Sequence, residues 1–204
     1  MAIDLETVAE ARLVAQALAG SQAAVEHIVR RYQRPVIRLI ARVTGDPALA
    51  EDLAQESFVK AFRNLATFDT SRRLSSWLFR IAHHTAIDAL RRARPNVVPL
   101  EPASSGGPHD PAAPAAPDPV ERDALRGALD AALAPLRPEF RAAITLRYEE
   151  GLSFQEIGKV LGVPAVTARS HVHRARKELL RRLTDAGWRP GTQLQRGAGA
   201  LRKP

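Results

Sequence analysis

The sequence predicts an all-α chain in which two helical domains are joined by a Pro/Ala-rich linker. Three observations carry that expectation. Apolar residues recur at spacings of three and four through residues 1–94 and 121–187. No segment alternates apolar and polar residues over a useful length, as a half-buried strand would. Eight of the fifteen prolines fall within 95–120, where they block helix and sheet ladders alike, so a flexible, solvated tether is expected there. Structureless stretches beyond ~15 residues are uncommon inside one compact domain, which favours two domains over one.

The elements follow in order. Leu13, Val14 and Leu18 form a short stripe that stops at Gly20, and Ser21 is placed to cap what comes next. Val25, Ile28, Val29, Tyr32, Val36, Leu39, Ile40 and Val43 continue to Gly45, with Pro35 predicting a kink or break near Arg34. Asp46 followed by Pro47 is a cap-plus-first-turn signal. Ala50, Leu53, Ala54, Phe58, Ala61, Phe62 and Leu65 then form an apolar face. After the polar stretch Thr67–Ser75, a last helix is expected to turn Trp77, Leu78, Ile81, Thr85, Ala89 and Leu90 inward. Beyond the linker, Ser153 caps a short helix with Phe154, Ile157 and Leu161 inside; Gly162 ends it and Val163–Pro164 make a tight turn. A second helix over Ala165–Leu179 follows, and a basic tail, 188–204, reads as disordered.

Composition bounds the function. Thirty Lys and Arg against 22 Asp and Glu give a net charge of +8, which favours a polyanionic partner. The absence of cysteine excludes disulfide frameworks, Cys-based zinc sites, iron–sulfur centres and thiol nucleophiles. No apolar run approaches the ~20 residues of a membrane span, and the amphipathic, acidic start MAIDLETVAEARL is not a secretory signal, so a cytoplasmic protein is expected. Charge sorts by segment: 162–187 carry six bases and two acids, whereas 121–161 sum to −1.

That basic segment coincides with the strongest local motif. A short helix, a Gly-containing turn and a second helix with basic residues on its outer face make a helix-turn-helix. The second helix offers Arg169, Ser170, His171, His173, Arg174, Arg176 and Lys177. Arginine can bond guanine bidentately in the major groove, and serine can reach base edges or phosphates. Complementing the helix dipole would account for Arg176, Lys177, Arg181 and Arg182 near the terminus. It does not account for Arg169 and Ser170 directly after the turn.

Two features of the first half matter. Glu51, Asp52, Gln55 and Glu56 form an acidic face beside an apolar stripe, which by composition alone reads as a solvated helix face. Phe68–Pro95 interleaves Arg72, Arg73, Arg80, Arg91, Arg92 and Arg94 with Phe68, Trp77 and Phe79, a mixture suited to unpaired nucleic acid. Trp77, in register with Ile81, reads instead as core.

Taken together, DPALAEDLAQESFVKAFRNLATFD, SSWLFRIAHHTAIDALRR, the Pro-rich linker and LRPEFRAAITLRYEEGLSFQEIGKVLGVPAVTARSHVHRARKELL resemble an extracytoplasmic-function sigma factor of bacterial RNA polymerase, over nearly residues 10–185. The resemblance implies a region 2 domain over 1–94 and a region 4 helix-turn-helix domain over 121–187. It implies that Glu51, Asp52, Gln55 and Glu56 dock on the coiled coil of the polymerase β′ subunit, which replaces the solvated-face reading. It implies that Arg72, Arg73, Arg80, His83, His84, Arg91 and Arg92 serve melting and base capture at the −10 element. The helix carrying Arg169–Lys177 would read the −35 element. Family members commonly have Asn where this chain has His84, a ring with a different reach and a pH-dependent charge. The resemblance further implies an anti-sigma partner, no cofactor and no small-molecule substrate. The two promoter elements lie roughly 58 Å apart in duplex, within the ~80 Å that a polyproline-like linker can span.

Two other classes compete. A free-standing helix-turn-helix regulator would need a dimerisation or ligand domain in the first half, against which the paired AEDLAQESF and SSWLFRIAHHTAIDALRR blocks argue. A metal enzyme would draw on His83, His84 and Asp88 or on His171 and His173. The latter two point to different helix faces, and His84 with Asp88 lacks a third ligand at a useful spacing.

Overall fold

Among the described residues, eight α-helices and one 3₁₀ turn build the protein. The computed structural model describes residues 5–93 and 119–188. Most of the expected linker and all but the first residue of the tail therefore lie outside the described residues. The helices are α1 (Leu5–Leu18), α2 (Gln22–Thr44), α3 (Pro47–Arg63), α4 (Leu74–Ala93), α5 (Pro119–Leu133), α6 (Pro138–Tyr148), α7 (Phe154–Leu161) and α8 (Ala165–Asp185), with the 3₁₀ turn at Leu65–Thr67. No described helix is long and apolar enough to cross a membrane.

Local chemistry sets the boundaries. The Ser21 hydroxyl accepts from the Ala24 amide at the start of α2, and Gly45 closes that helix at φ +77°. The Asp46 carboxylate accepts from the amides of Ala48 and Leu49 at 3.0 and 3.1 Å, with Pro47 in the first turn of α3. Of the kink or break expected near Arg34, the break does not occur: the helix runs from Gln22 to Thr44 with Pro35 inside it. Burial of Ile28, Tyr32, Val36, Leu39, Ile40 and Val43 on one face holds both sides of the proline to a common surface, outweighing one lost backbone bond.

In α4 the inner face is also rotated from the expected one. Leu74, Leu78, Phe79, Ala82, Ala86 and Ala89 are buried, whereas Trp77, Ile81 and Leu90 are only partly so. Trp77 lies against Phe68 with ring centroids 5.4 Å apart.

The two helical halves share a core. α6 packs on α2 and α7 on α4, so that Ala142, Ala143, Leu146, Leu152, Ile157 and Val160 join the apolar cluster built by α1–α4. A smaller cluster of Leu133, Leu136, Ile144 and Ala175 lies among α5, α6 and α8.

Two buried charged groups tie these layers. Glu10, 2% exposed, accepts from the Tyr32 hydroxyl and from the Leu74 amide at 2.7 Å, joining α1 to α2 and to the start of α4. Arg141, 9% exposed, donates to the Val43 carbonyl at 2.6 Å and to the Ala134 carbonyl at 2.5 Å. Val43 lies in the last turn of α2, whose carbonyls lack intrahelical partners and carry the negative end of the dipole.

Around this weld runs a charged seam. Arg42 pairs with Asp130 and lies 3.8 Å from Glu149, while Arg38 lies 3.4 Å from Glu149 and 4.0 Å from Glu150. The acidic half of the second domain thus faces the basic helix of the first. Burial raises the Glu150 carboxyl above its ordinary range, partly offset by Arg38.

Candidate nucleic-acid interface

The helix-turn-helix is assembled by short-range chemistry. Ser153 and Glu156 form a reciprocal capping box at the start of α7. Gly162 ends α7 at φ +69°, where a side chain is disfavoured. Gly158 is required for a different reason: a Cβ there would stand 2.6 Å from the Val163 carbonyl oxygen and 3.3 Å from the Ala165 amide nitrogen. The turn backbone packs directly against α7, and that approach sets the angle at which α8 leaves.

Ala168, Val172 and Ala175 bury one face of α8. Arg169, Ser170, His173, Arg174, Arg176 and Lys177 are exposed, and none of these cations makes an ion pair among the described residues. His171 differs from its neighbours. Its ring packs 5.2 Å from Phe140, centroid to centroid, and belongs to the flank that meets α6. Farther along, Arg181 pairs with Glu178 at 2.7 Å and Asp185 at 2.9 Å, and Arg182 with Glu178 at 2.8 Å. The positive field is therefore concentrated on the first four turns of α8.

On α4, Arg80, His84 and Arg91 fall on one helical stripe, four and seven residues apart, and Arg73 immediately precedes the helix. Arg80, His84 and Arg91 are exposed, while Arg73 is half-buried with its guanidinium 3.9 Å from Glu156 of α7. Ser76 donates to the same Glu156 at 3.5 Å. Arg72 is exposed and pairs with Asp69 at 2.8 Å, and Arg92, also exposed, donates to the Asp88 carbonyl at 3.4 Å. His83 stands apart from the stripe: it is 7% exposed, and neither ring nitrogen has a partner among the described residues. Burial, reinforced by the neighbouring His84, lowers its pKa from 6.5 to about 4.

A measurable pH dependence follows. The folded ring stays neutral while the unfolded one takes up a proton below about 6.5, so stability falls as pH drops from there toward 4. The loss expected from this group is up to ~3 kcal/mol. Denaturant midpoints of the wild type and of His83→Leu, measured between those limits, should diverge, with the variant showing the shallower slope. Parallel slopes would refute the assignment. Glu150 acts with the opposite sign in both proteins and drops out of the difference.

On α3, Glu51, Asp52 and Gln55 are exposed, and Glu56 is half-buried and paired with Lys60 at 2.7 Å. Val59, half exposed, shares this face with Asp52 and Gln55. The face is thus acidic with an apolar centre. Glu156 as a link between domains, Arg141 and Val59 escaped the sequence reading. Only Val59 left a signal there, as an apolar residue out of phase with the Leu53–Phe58 stripe. Among the described residues no group of three or more His, Asp or Glu could hold a metal ion.

A helix-turn-helix whose second helix carries an exposed row of unpaired cations is the architecture of a DNA-binding protein. Residues 28–95 match the family model Sigma-70 region 2, and residues 126–179 match Sigma-70, region 4. The chain is 33% identical over 178 residues to the ECF RNA polymerase sigma factor SigW of Bacillus subtilis, covering 84% of this chain and 95% of that one. It is 38% identical over 164 residues to the ECF RNA polymerase sigma factor SigE of Mycolicibacterium smegmatis, with coverage of 78% and 63%. Among solved structures it is similar to CnrH in complex with the cytosolic domain of CnrY, with a TM-score of 0.62 and 25% identity over 91% of this chain and 100% of that one. RpoE of Bartonella quintana, solved with the anti-sigma factor NepR, shares the fold at a TM-score of 0.60 and 21% identity, over 78% of this chain and 96% of that one. The chain belongs to the sigma-70 family, in its extracytoplasmic-function group: it is a sigma factor, which directs RNA polymerase to promoters.

Proposed function

We propose that this sigma factor meets the polymerase core through the α3 face of Glu51, Asp52, Gln55 and Glu56, with Val59 at its centre, and that the polymerase element docked there is the β′ coiled coil. The outer stripe of α4 and the arginine just before it act at the −10 element, with Arg73, Arg80, His84 and Arg91 directed at separated strands and Arg72 and Arg92 at flanking phosphates. His83 supports α4 from inside. The exposed face of α8 reads the −35 element in the major groove, with His171 positioning the helix against Phe140. The protein acts in the cytoplasm as a regulatory subunit with no catalytic residues of its own, and an anti-sigma protein is its inhibitor, as the partners named with CnrH and RpoE support.

The observation that carries this reading is the row of unpaired cations directly after the turn of the helix-turn-helix. Because Glu156 of α7 reaches Arg73 and Ser76 of α4, the two readers stand too close to engage elements ~58 Å apart. Promoter reading therefore requires the halves to separate on their tether.

Run-off transcription with core polymerase on a promoter library tests the function. Defined start sites are expected, with Arg169→Ala or Arg174→Ala weakening −35-dependent initiation by the equivalent of ~1–3 kcal/mol per base contact. A chain that bound duplex but started no RNA would be a stand-alone regulator. Unchanged promoter affinity in both variants would remove α8 as the reader.

A further inference from the structure

The most exposed large apolar side chain in the described protein sits on the face that reads DNA. Val166, the second residue of α8, is 77% exposed. A single surface valine is ordinarily unremarkable. Its position makes this one informative. A β-branched side chain is a mediocre choice for an exposed helix position, and Val166 heads the stripe that continues through Arg169, Ser170 and His173, at i+3, i+4 and i+7. The residues at the N-terminal end of a recognition helix enter deepest into the major groove.

Its neighbour narrows the chemistry. The Ser170 hydroxyl donates to the Val166 carbonyl at 3.0 Å. With its proton committed to the backbone, Ser170 offers a base edge only lone pairs. Beside it, Val166 presents two methyl groups and no polar atom. The one apolar group displayed in the major groove is the 5-methyl of thymine.

We propose that Val166 is a specificity-determining residue that packs on the 5-methyl group of a thymine in the duplex element bound by α8. This rests on the reading of α8 as the −35 helix. Val166 and Arg169 are separated by about 4.5 Å along the helix axis, slightly more than one base-pair step. The thymine should therefore lie about one or two base pairs from the base pair contacted by Arg169.

The test uses holoenzyme, full-length chain with core polymerase, on the promoter selected by the library. Each −35 thymine on either strand is replaced in turn by deoxyuridine, which removes the methyl and nothing else. With the wild type, one position should lower affinity about fourfold, the worth of one methyl withdrawn from water. With Val166→Ala that same replacement should have no effect, and Val166→Ser should behave likewise. Alanine is a better helix former than valine, so a folding defect is not expected. Equal deoxyuridine sensitivity in wild type and Val166→Ala at every position overturns the proposal, as does a wild type that ignores every methyl. Arg169→Ala, run alongside, separates the two levels: if it too leaves duplex affinity unchanged, the reading of α8 itself fails; if it weakens binding while the methyl data are flat, only the Val166 assignment falls.

Discussion

Replacing Glu51 and Asp52 together by lysine is expected to abolish stable binding to core RNA polymerase while leaving the fold intact. Both residues are exposed on α3 and make no ion pair among the described residues, so the folded state has little to lose. Surface substitutions of this kind ordinarily change stability by no more than ~0.5 kcal/mol. At an interface the arithmetic is different. Each lysine removes an attraction and adds a like-charge contact with a basic partner, and such juxtapositions cost several kcal/mol. Co-purification with core should fall by at least ~100-fold, the equivalent of about 3 kcal/mol. Far-UV circular dichroism and the melting temperature should match the wild type. Glu51→Gln with Asp52→Asn, which removes attraction without adding repulsion, should show an intermediate loss. Normal co-purification of the double lysine variant would show that another face meets the polymerase.

Arg141→Met should open the molecule. The guanidinium satisfies two carbonyls, one at the end of α2 and one between α5 and α6. Methionine keeps much of the bulk but offers no donor, leaving both oxygens unpaired in a buried setting. A loss of about 2–4 kcal/mol is expected. The loss falls on the junction between the halves, so its signature is loss of cooperativity as well as a lower denaturant midpoint. The chain contains no cysteine, and single cysteines at Asn64 and Lys177 therefore report the separation cleanly by spin-label distances. A single narrow distance distribution in the wild type should give way to a broad one in the variant. Rising salt should push the wild type the same way, because Arg38 and Arg42 face Asp130, Glu149 and Glu150 across a partly solvated seam. An unchanged distance and midpoint would remove Arg141 as the weld.

Such a docked arrangement also places the reading of promoter DNA under a conformational condition. Arg73 stands at the N-terminal end of α4, next to its first residue, and is engaged by the capping glutamate of α7. Separating the halves releases Arg73 and costs Glu156 one of its two roles, while the capping box that holds α7 together survives.

What could be read from the residues and what could not divide along a physical line. Ser21, Asp46 and Ser153 as caps, Gly45 and Gly162 as stops, and the helix-turn-helix itself were legible, because each depends on atoms within about four residues of one another. The exposed face of α8 was legible for the same reason: a 3.6-residue period decides which side chains share a side. Pro35 does not end α2 because the apolar face on both sides of it stays packed on one surface, which its local penalty alone does not reveal. His83 joins the −10 residues through the family resemblance alone; only the packing around α4 shows that its ring is buried. The ties that Glu10, Arg141 and Glu156 make between helices left no trace in the pattern, since those partners lie between 22 and 98 residues away. The amino-acid order alone thus determined the helices, their ends, the family resemblance and the charged faces, all consequences of short-range geometry. The tertiary structure alone decided that the two halves share a core, which charges are spent holding them together, and which remain free for DNA, because those depend on contacts that no local period encodes.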